Sequence, residues 1–328
     1  MHPIESSGLS MKQLRVGVVG VGYLGKFHAQ KYRFMPDVDL VGVVDTDPVQ
    51  GEKVAEDNAT AYYQDHRSLF GKVDAISVAA PTPAHFSIAR DFLRQNIDVL
   101  IEKPMTSRIE DADELIRIAE SNGSIIQVGH LERFNPAVVA LRGKVDQPRF
   151  IESHRLSIYQ GRCTDVSVVL DLMIHDIDLI LNLVGSKIKS VHAAGIEVVS
   201  ENIDIANARL EFDNGAVANV TASRISAKNE RKLRLFQKDA YISIDFAEHK
   251  ITLVRPESNH GDDLIPGMKI EELQFDKGDA LDDELKSFIQ SVKHRRQPLV
   301  TGQMGRDALK TALSIMAQIK KTSQHLVN

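Results

Sequence analysis

The run Arg15-Val-Gly-Val-Val-Gly20-Val-Gly22-Tyr23-Leu24-Gly25-Lys26-Phe27-His28-Ala29 sets an apolar strand directly before G-x-G-x-x-G and a helix-forming stretch. Each glycine has its own steric task. Gly20 permits the tight turn after the strand, Gly22 lets the backbone approach a diphosphate with no Cβ in the way, and Gly25 lets the helix pack close to the strand. A phosphate then meets the N–H groups of the helix N-terminus, where the dipole favours an anion. Three glycines near a turn occur in many loops, so the pattern gains its meaning from context.

The context is the next strand, Asp39-Leu-Val-Gly-Val-Val-Asp45, which ends on a carboxylate twenty positions after Gly25. At that spacing an acid accepts hydrogen bonds from the adenosine ribose of a dinucleotide. It also repels a 2′-phosphate, and Thr46-Asp47-Pro48-Val49-Gln50 offers no Arg or Lys in compensation. NAD is therefore favoured over NADP. Two alternatives stay open: Asp45 merely caps the turn into the helix starting near Pro48, as Asp47 also can, or Lys53 folds back toward a phosphate.

With 328 residues, 43% of them apolar and 26% charged, the chain is long enough for two domains of globular composition. Forty basic against forty-five acidic side chains give a net charge of −5, with no basic block to follow a nucleic-acid backbone. Nucleic acid is excluded as an expected partner. A single cysteine, Cys163, rules out an intrachain disulfide and a thiolate zinc cluster, which fits a reducing cytoplasm. No apolar run reaches membrane-spanning length, and the start lacks a basic segment followed by an apolar core, so no membrane association is expected. Residues 1–12 read as a mobile leader, with Met11 as an alternative start.

From residue 14 to about 128, short β-branched runs at 14–19, 39–44, 74–79, 98–101 and 124–128 alternate with amphipathic helical stretches. This is the pattern of a parallel sheet covered on both faces, and it predicts a doubly wound Rossmann domain over 13–130. Residues 131–328 predict a second α/β domain with an open, mostly antiparallel sheet. Helices are expected at about 136–145 and 168–184, then strands at 188–199, 203–212, 216–226, 232–238, 240–246 and 250–255, then helices at about 280–294 and 304–321. Asp213-Asn214-Gly215 reads as a type I′ hairpin turn. Six such strands carry more apolar surface than two helices hide, so a homodimer or homotetramer through this sheet is expected.

Two segments carry chemistry. Ile101-Glu102-Lys103-Pro104 follows the fourth expected strand, at the carboxyl edge where open α/β sheets bind ligands. Leu170-Asp171-Leu-Met-Ile-His175-Asp176-Ile-Asp178 lies in a largely apolar helix, and residues four apart there share a face. Burying Asp171 and His175 is costly unless each meets a partner or a ligand. A purely structural bond stays open for them, as does a divalent metal on Asp171, His175 and Asp178. The metal reading is weak, because a catalytic metal draws ligands from more than one element, and no metal is expected.

Together the Gly20–Gly25 turn, Pro81-Thr82-Pro83-Ala84-His85, Glu102-Lys103-Pro104 and Asp171…His175-Asp176-Ile-Asp178 resemble the glucose–fructose oxidoreductase, inositol dehydrogenase and rhizopine-catabolism (Gfo/Idh/MocA) family, over nearly the whole chain from Leu14. The resemblance implies a catalytic trio of Lys103, Asp171 and His175. It implies a cofactor site made by Gly20, Gly22, Tyr23, Leu24, Gly25, Asp45, Thr82, His85, Glu102 and Lys103, with Thr82 and His85 near the nicotinamide half, Glu102 near its ribose and a cis peptide before Pro104. The chain departs from the family's usual glycine-rich run at Gly161-Arg162-Cys163-Thr164-Asp165-Val166-Ser167, and Met173 stands where a small residue is frequent, so the resemblance implies the chemistry but not the shape of the substrate pocket.

Gln127 to Pro136 with Gly161-Arg162 and Thr164-Asp165-Val166 look like the branch acting on the 3-hydroxyl of UDP-N-acetylglucosamine, on the route to amide-linked lipid A. That likeness implies a substrate site of Lys103, Glu132, Arg162, Asp171 and His175, with Arg162 on a diphosphate and Glu132 on a sugar hydroxyl. Inositol or simple-sugar dehydrogenases, glycosidases using NAD transiently and a non-catalytic NAD sensor remain as alternatives. The dehydrogenase reading needs Lys103 and His175 to reach one small molecule.

Overall fold

The computed structural model describes residues 13–161, 166–257 and 267–326. The expected leader, Arg162 and Cys163 lie outside them. The chain forms two compact units: the described residues up to Gly129 with Leu285–Gly302, and His130–Glu284 with the described residues from Gln303 onward. The return of 285–302 to the first unit leaves no mark in hydrophobic periodicity, because a helix shows the same apolar stripe whichever unit it packs on.

The first unit alternates β1 (Leu14–Val19), α1 (Gly25–Phe34), β2 (Val38–Val44), α2 (Pro48–Asp57), β3 (Ala61–Tyr63), β4 (Ala75–Val78), α3 (Thr82–Leu93), β5 (Asp98–Glu102), α4 (Ile109–Asn122) and β6 (Ile126–Gly129). The strands form one sheet in the order β3-β2-β1-β4-β5-β6, every pair parallel. Strands β4 and β5 are buried along their whole length, as expected of a sheet with both faces covered. Strand order reverses between β1 and β4, and the crevice at their carboxyl ends is where such sheets take ligands. Strand β3 has three residues, too short for a period-two pattern to reveal it. The segment 285–302 is tied in by Val128 N–H donating to the Val300 carbonyl at 3.0 Å and by Arg295 on Asp98 at 3.2 Å.

The second unit contains α5 (Pro136–Val139), β7 (Phe150–Leu156), a π-helical turn at Val169–Met173, α6 (Ile174–Val184), β8 (Ile188–Ile196), β9 (Ile205–Phe212), β10 (Val217–Ser223), β11 (Glu230–Gln237), β12 (Ala240–Asp245), β13 (Lys250–Pro256) and β14 (Met268–Gln274). Helix α7 (Ala280–His294) begins in this unit and α8 (Gly302–Leu326) runs through it. The sheet order is β14-β13-β12-β11-β7-β10-β9-β8. Only β7 and β10 pair in parallel among the described strands, so the sheet is open and mostly antiparallel, as expected.

Three local readings are corrected. The helix expected over 136–145 closes at Val139, and the turn that follows reaches Gly143 at φ +74°. The Asp213-Asn214-Gly215 hairpin is not type I′: Phe212 pairs with Ala216 and only Gly215 of the three has positive φ, which is a three-residue loop. Strand β14 was hidden in polar sequence, because its alternate positions are mostly exposed.

The core of this unit lies on one sheet face, where Ala208, Leu210, Val220, Leu233 and Ile242 pack with Ile174, Ile177 and Ile180 and with Ala308, Ala312 and Ile315 of α8. The opposite face is mixed rather than apolar. It carries Glu152 paired with Arg234 at 3.4 Å, and a Phe150–Phe236–Tyr241 ring ladder with centroids 5.5 and 4.9 Å apart. No helix among the described residues is long and apolar enough to cross a membrane.

Candidate active site

The glycine turn has the three separate constraints its spacing predicts. Gly20 stands at φ +84°, and a Cβ there would lie 2.5 Å from the Ala80 backbone. A Cβ on Gly25 would lie 1.8 Å from the Gly20 carbonyl oxygen, so any side chain forces α1 off β1. Beside Gly22 nothing stands within 4 Å, which leaves open the backbone face that a diphosphate needs. No side chain caps the N-terminus of α1, whereas Asp47 caps α2 by accepting from Val49 and Gln50. These residues fit a dinucleotide. Tyr23 is exposed and Leu24 half-buried at the same turn.

Asp45 follows β2 and has a structural duty of its own. Its Oδ2 accepts from Val21 N–H at 2.8 Å and its Oδ1 from Asp47 N–H at 3.0 Å, which fixes the glycine loop against the second strand. The capping alternative is thus divided: Asp47 caps α2, and Asp45 holds the loop.

At the end of β5, Glu102 is buried, Lys103 half-buried, and the Lys103–Pro104 peptide is cis as the resemblance implied. The Glu102 carboxylate lies inside the unit, with Oε2 accepting from Lys103 N–H at 3.3 Å and Oε1 3.2 Å from Nε2 of the buried His28. His85, expected beside the nicotinamide, is 1% exposed. Its Nδ1 is 3.0 Å from the Pro104 carbonyl oxygen and its Nε2 2.7 Å from that of Ala80, so it braces the loops after β4 and β5. Burial pushes this imidazole below its ordinary pKa, and the two carbonyls offset only part of that. Thr82 opens α3.

Asp171 and His175 belong to the second unit, both half-buried. The helix expected there as one α-helix instead begins with a π-turn: the Ile174 N–H reaches the Val169 carbonyl, five residues back. Such a turn takes in one extra residue and recurs at functional sites. Asp171 lies in the π-turn and His175 in the first α-helical turn after it. The run Val168 to Ile180 hides this change, because its nine apolar positions fall on every side of the helix and mark no single face.

Two buried ion pairs hold this helix. Arg155, third of the inward residues of β7, donates to both Asp176 oxygens at 2.8 and 2.9 Å and to Glu132 Oε1 at 2.8 Å. Burial alone would raise the Glu132 carboxyl, but Arg155 outweighs it and holds it below the usual range. Arg133 forks onto Asp178 at 2.5 and 3.1 Å. Asp178 is therefore committed to a guanidinium, and among the described residues no group of His, Cys, Asp or Glu has metal-site geometry. Glu132, expected on a sugar hydroxyl, has one oxygen on Arg155.

Sequence reasoning missed Arg155, Asp176, Arg133, His28 and a third pair, Asp204 with Arg224. Asp204 accepts from Val198, Val199 and Ser200 N–H at 2.8, 2.7 and 3.0 Å, and its Oδ1 lies 3.7 Å from Arg224. Burial would raise this carboxyl, but those N–H groups hold it far below its ordinary value. Arg224 donates to the Val166 carbonyl, and Ser167 accepts from Leu170 and Asp171 N–H, so the pair anchors the entry to the π-turn. An arginine among the inward residues of a period-two strand was the available signal, since such a charge must meet an acid.

Residues 14–130 match the family model described as oxidoreductase family, NAD-binding Rossmann fold (GFO_IDH_MocA), and 137–243 match the GFO/IDH/MocA C-terminal domain. UDP-N-acetylglucosamine 3-dehydrogenase of Acidithiobacillus ferrooxidans is 35% identical over 311 residues, 94% of this chain and 98% of that protein. A solved structure of that enzyme superposes with a TM-score of 0.90 over 95% of this chain and 99% of the other. The scyllo-inositol 2-dehydrogenase (NAD(+)) of Bacillus subtilis is 26% identical, covering 88% of this chain and 89% of that protein. A myo-inositol 2-dehydrogenase structure from Lactobacillus plantarum, at 22% identity, TM-score 0.78 and coverage of 95% and 98%, shares the fold.

Proposed function

Because this chain belongs to the GFO/IDH/MocA family and is an NAD-binding oxidoreductase, we propose that it oxidises a secondary hydroxyl of a nucleotide sugar, the 3-hydroxyl of UDP-N-acetylglucosamine or a close analogue. The observation that carries this reading is the 35% identity to a 3-dehydrogenase of that sugar nucleotide along 94% of the chain. The residue types support it: a lysine, Lys103, directly after β5, and an acid and an imidazole, Asp171 in the π-turn and His175 in the helical turn after it.

The Gly20–Gly25 turn binds the diphosphate and Asp45 the adenosine ribose. NAD bound there would supply an acceptor for the hydride of the carbinol carbon, which would become a ketone once the hydroxyl proton is also removed. A ring nitrogen of His175 takes the hydroxyl proton, and Asp171 orients that ring or relays its proton. The Lys103 ammonium stabilises the negative charge growing on the oxygen. Asp45 supports NAD over NADP, since a carboxylate at the end of β2 repels a 2′-phosphate and residues 46–50 carry no cation.

The similarity to a scyllo-inositol 2-dehydrogenase over 88% of the chain favours a second reading, a polyol as substrate. Incubation with NAD or NADP and a panel of sugar nucleotides, free sugars and inositols separates the two. Absorbance of reduced nicotinamide with UDP-N-acetylglucosamine and none with inositols is expected; the reverse replaces the substrate, and no signal with any compound favours a sensor.

A further inference from the structure

Glu102 precedes Lys103, and its surroundings suit a clamp better than a ligand contact. Glu102 is 8% exposed, and its carboxylate is met from α1, from the adjoining peptide and from β6. From α1, Nε2 of the fully buried His28 stands 3.2 Å from Oε1. From its own chain, the Lys103 N–H donates to Oε2 at 3.3 Å. From β6, Gly129 presents bare backbone, and a Cβ there would fall 2.8 Å from the carboxylate carbon and from Oε2 and 2.9 Å from Oε1.

Each contact has a reason that a solvated acid lacks. An acid buried this deeply needs donors around it, and the Lys103 amide is one. Gly129 sits in a fully buried strand, where glycine weakens a sheet unless something must approach closely, and here that something is the carboxylate. The peptide so held carries the side chain that meets the substrate oxygen.

We propose that Glu102, set by His28 and by the missing Cβ of Gly129, is a positioning residue that fixes the Lys103 backbone and so the reach of its ammonium. The inference rests on the reading of Lys103 as the group facing the substrate hydroxyl. Small displacements matter at such a place, since an error of about 1 Å in a catalytic group lowers turnover by as much as about 100-fold. Gly129→Ala moves the carboxylate without changing it, and Glu102→Leu removes both acceptors at similar volume. His28→Leu removes the nitrogen facing Oε1.

The test is hydrogen exchange resolved to the Lys103 amide in the whole protein, with NADH affinity, thermal midpoint and kcat beside it. Gly129→Ala and Glu102→Leu should speed exchange of that amide about tenfold, and His28→Leu by less. Glu102→Gln, which keeps an acceptor oxygen, should restore protection. Where turnover is measurable, kcat should fall about tenfold in the first two variants while NADH affinity stays within about twofold. Unchanged Lys103 exchange in folded Gly129→Ala and Glu102→Leu proteins overturns the inference. So does a loss confined to NADH affinity, which would make Glu102 a ribose ligand. A wild-type protein that oxidises no sugar removes the proposed function instead, and the exchange measurement still decides the clamp.

Discussion

Arg155 and Asp176 meet in a buried fork, two N–H···O bonds of 2.8 and 2.9 Å between β7 and the residue next to His175. The pair sets the rotation of α6 about its axis, because a forked guanidinium admits one orientation of the carboxylate it grips. His175 takes its direction from the same helix turn. Truncating the cation should be severe: Arg155→Leu leaves Asp176 buried without its partner and strips Glu132 as well. We expect a loss of about 3–5 kcal/mol in urea unfolding. A loss below about 1 kcal/mol would show that the fork does not hold the helix.

The glycines of the first turn should separate by function. Gly25→Ala drives a Cβ into the Gly20 carbonyl and should lower stability by about 1–3 kcal/mol or more. Gly22→Val enters open space and should melt like the parent, yet lose more than about tenfold in NADH affinity, about 1.4 kcal/mol. Calorimetry for folding and fluorescence titration for NADH give both numbers.

Much of this design was written in residue order. Gly20, Gly22, Gly25 and Asp45 stand out by their spacing, Lys103 by its place at the carboxyl end of a parallel strand, and Asp171 and His175 as polar groups in an apolar helix. What escaped is what only three dimensions bring together. The π-turn at Asp171 is invisible in a run whose apolar residues fall on every side of the helix. The pairs Arg155–Asp176, Arg133–Asp178 and Asp204–Arg224 join residues 20 to 45 positions apart. The hold of His85 on the Pro104 and Ala80 carbonyls, between the loops after β4 and β5, belongs with them.

Acid should weaken the fold in two steps. The His85 imidazole is lowered by burial, so the unfolded chain binds its proton first, and stability falls as pH drops below about 6.5 toward the folded value. Glu132 and Asp204 are held below their ordinary values, so their contributions are complete above the unfolded carboxyl range and fade as pH falls through the folded one. Thermal midpoints between pH 8 and pH 3 should show both declines, and His85→Asn should flatten the upper one. A midpoint constant from about pH 7 to pH 5 in the parent would contradict this account of His85.

Cofactor choice should turn on Asp45. Asp45→Ser with Thr46→Arg removes the repelling charge and supplies a cation, so kcat/KM for NADP should rise relative to NAD. The exchange also gives up the bonds to Val21 and Asp47 N–H, and a stability loss of about 1 kcal/mol should accompany it. An unchanged cofactor ratio would mean that another group reads the ribose.

The decisive measurement is the fate of the hydrogen on the sugar carbon. UDP-N-acetylglucosamine deuterated at carbon 3 should yield deuterated NADH and a 3-keto sugar nucleotide in equal amounts, with yield collapsing in His175→Ala and Lys103→Met. Unlabelled NADH would move the oxidised carbon elsewhere, and no NADH at all from a protein that binds the cofactor would contradict the proposed oxidation.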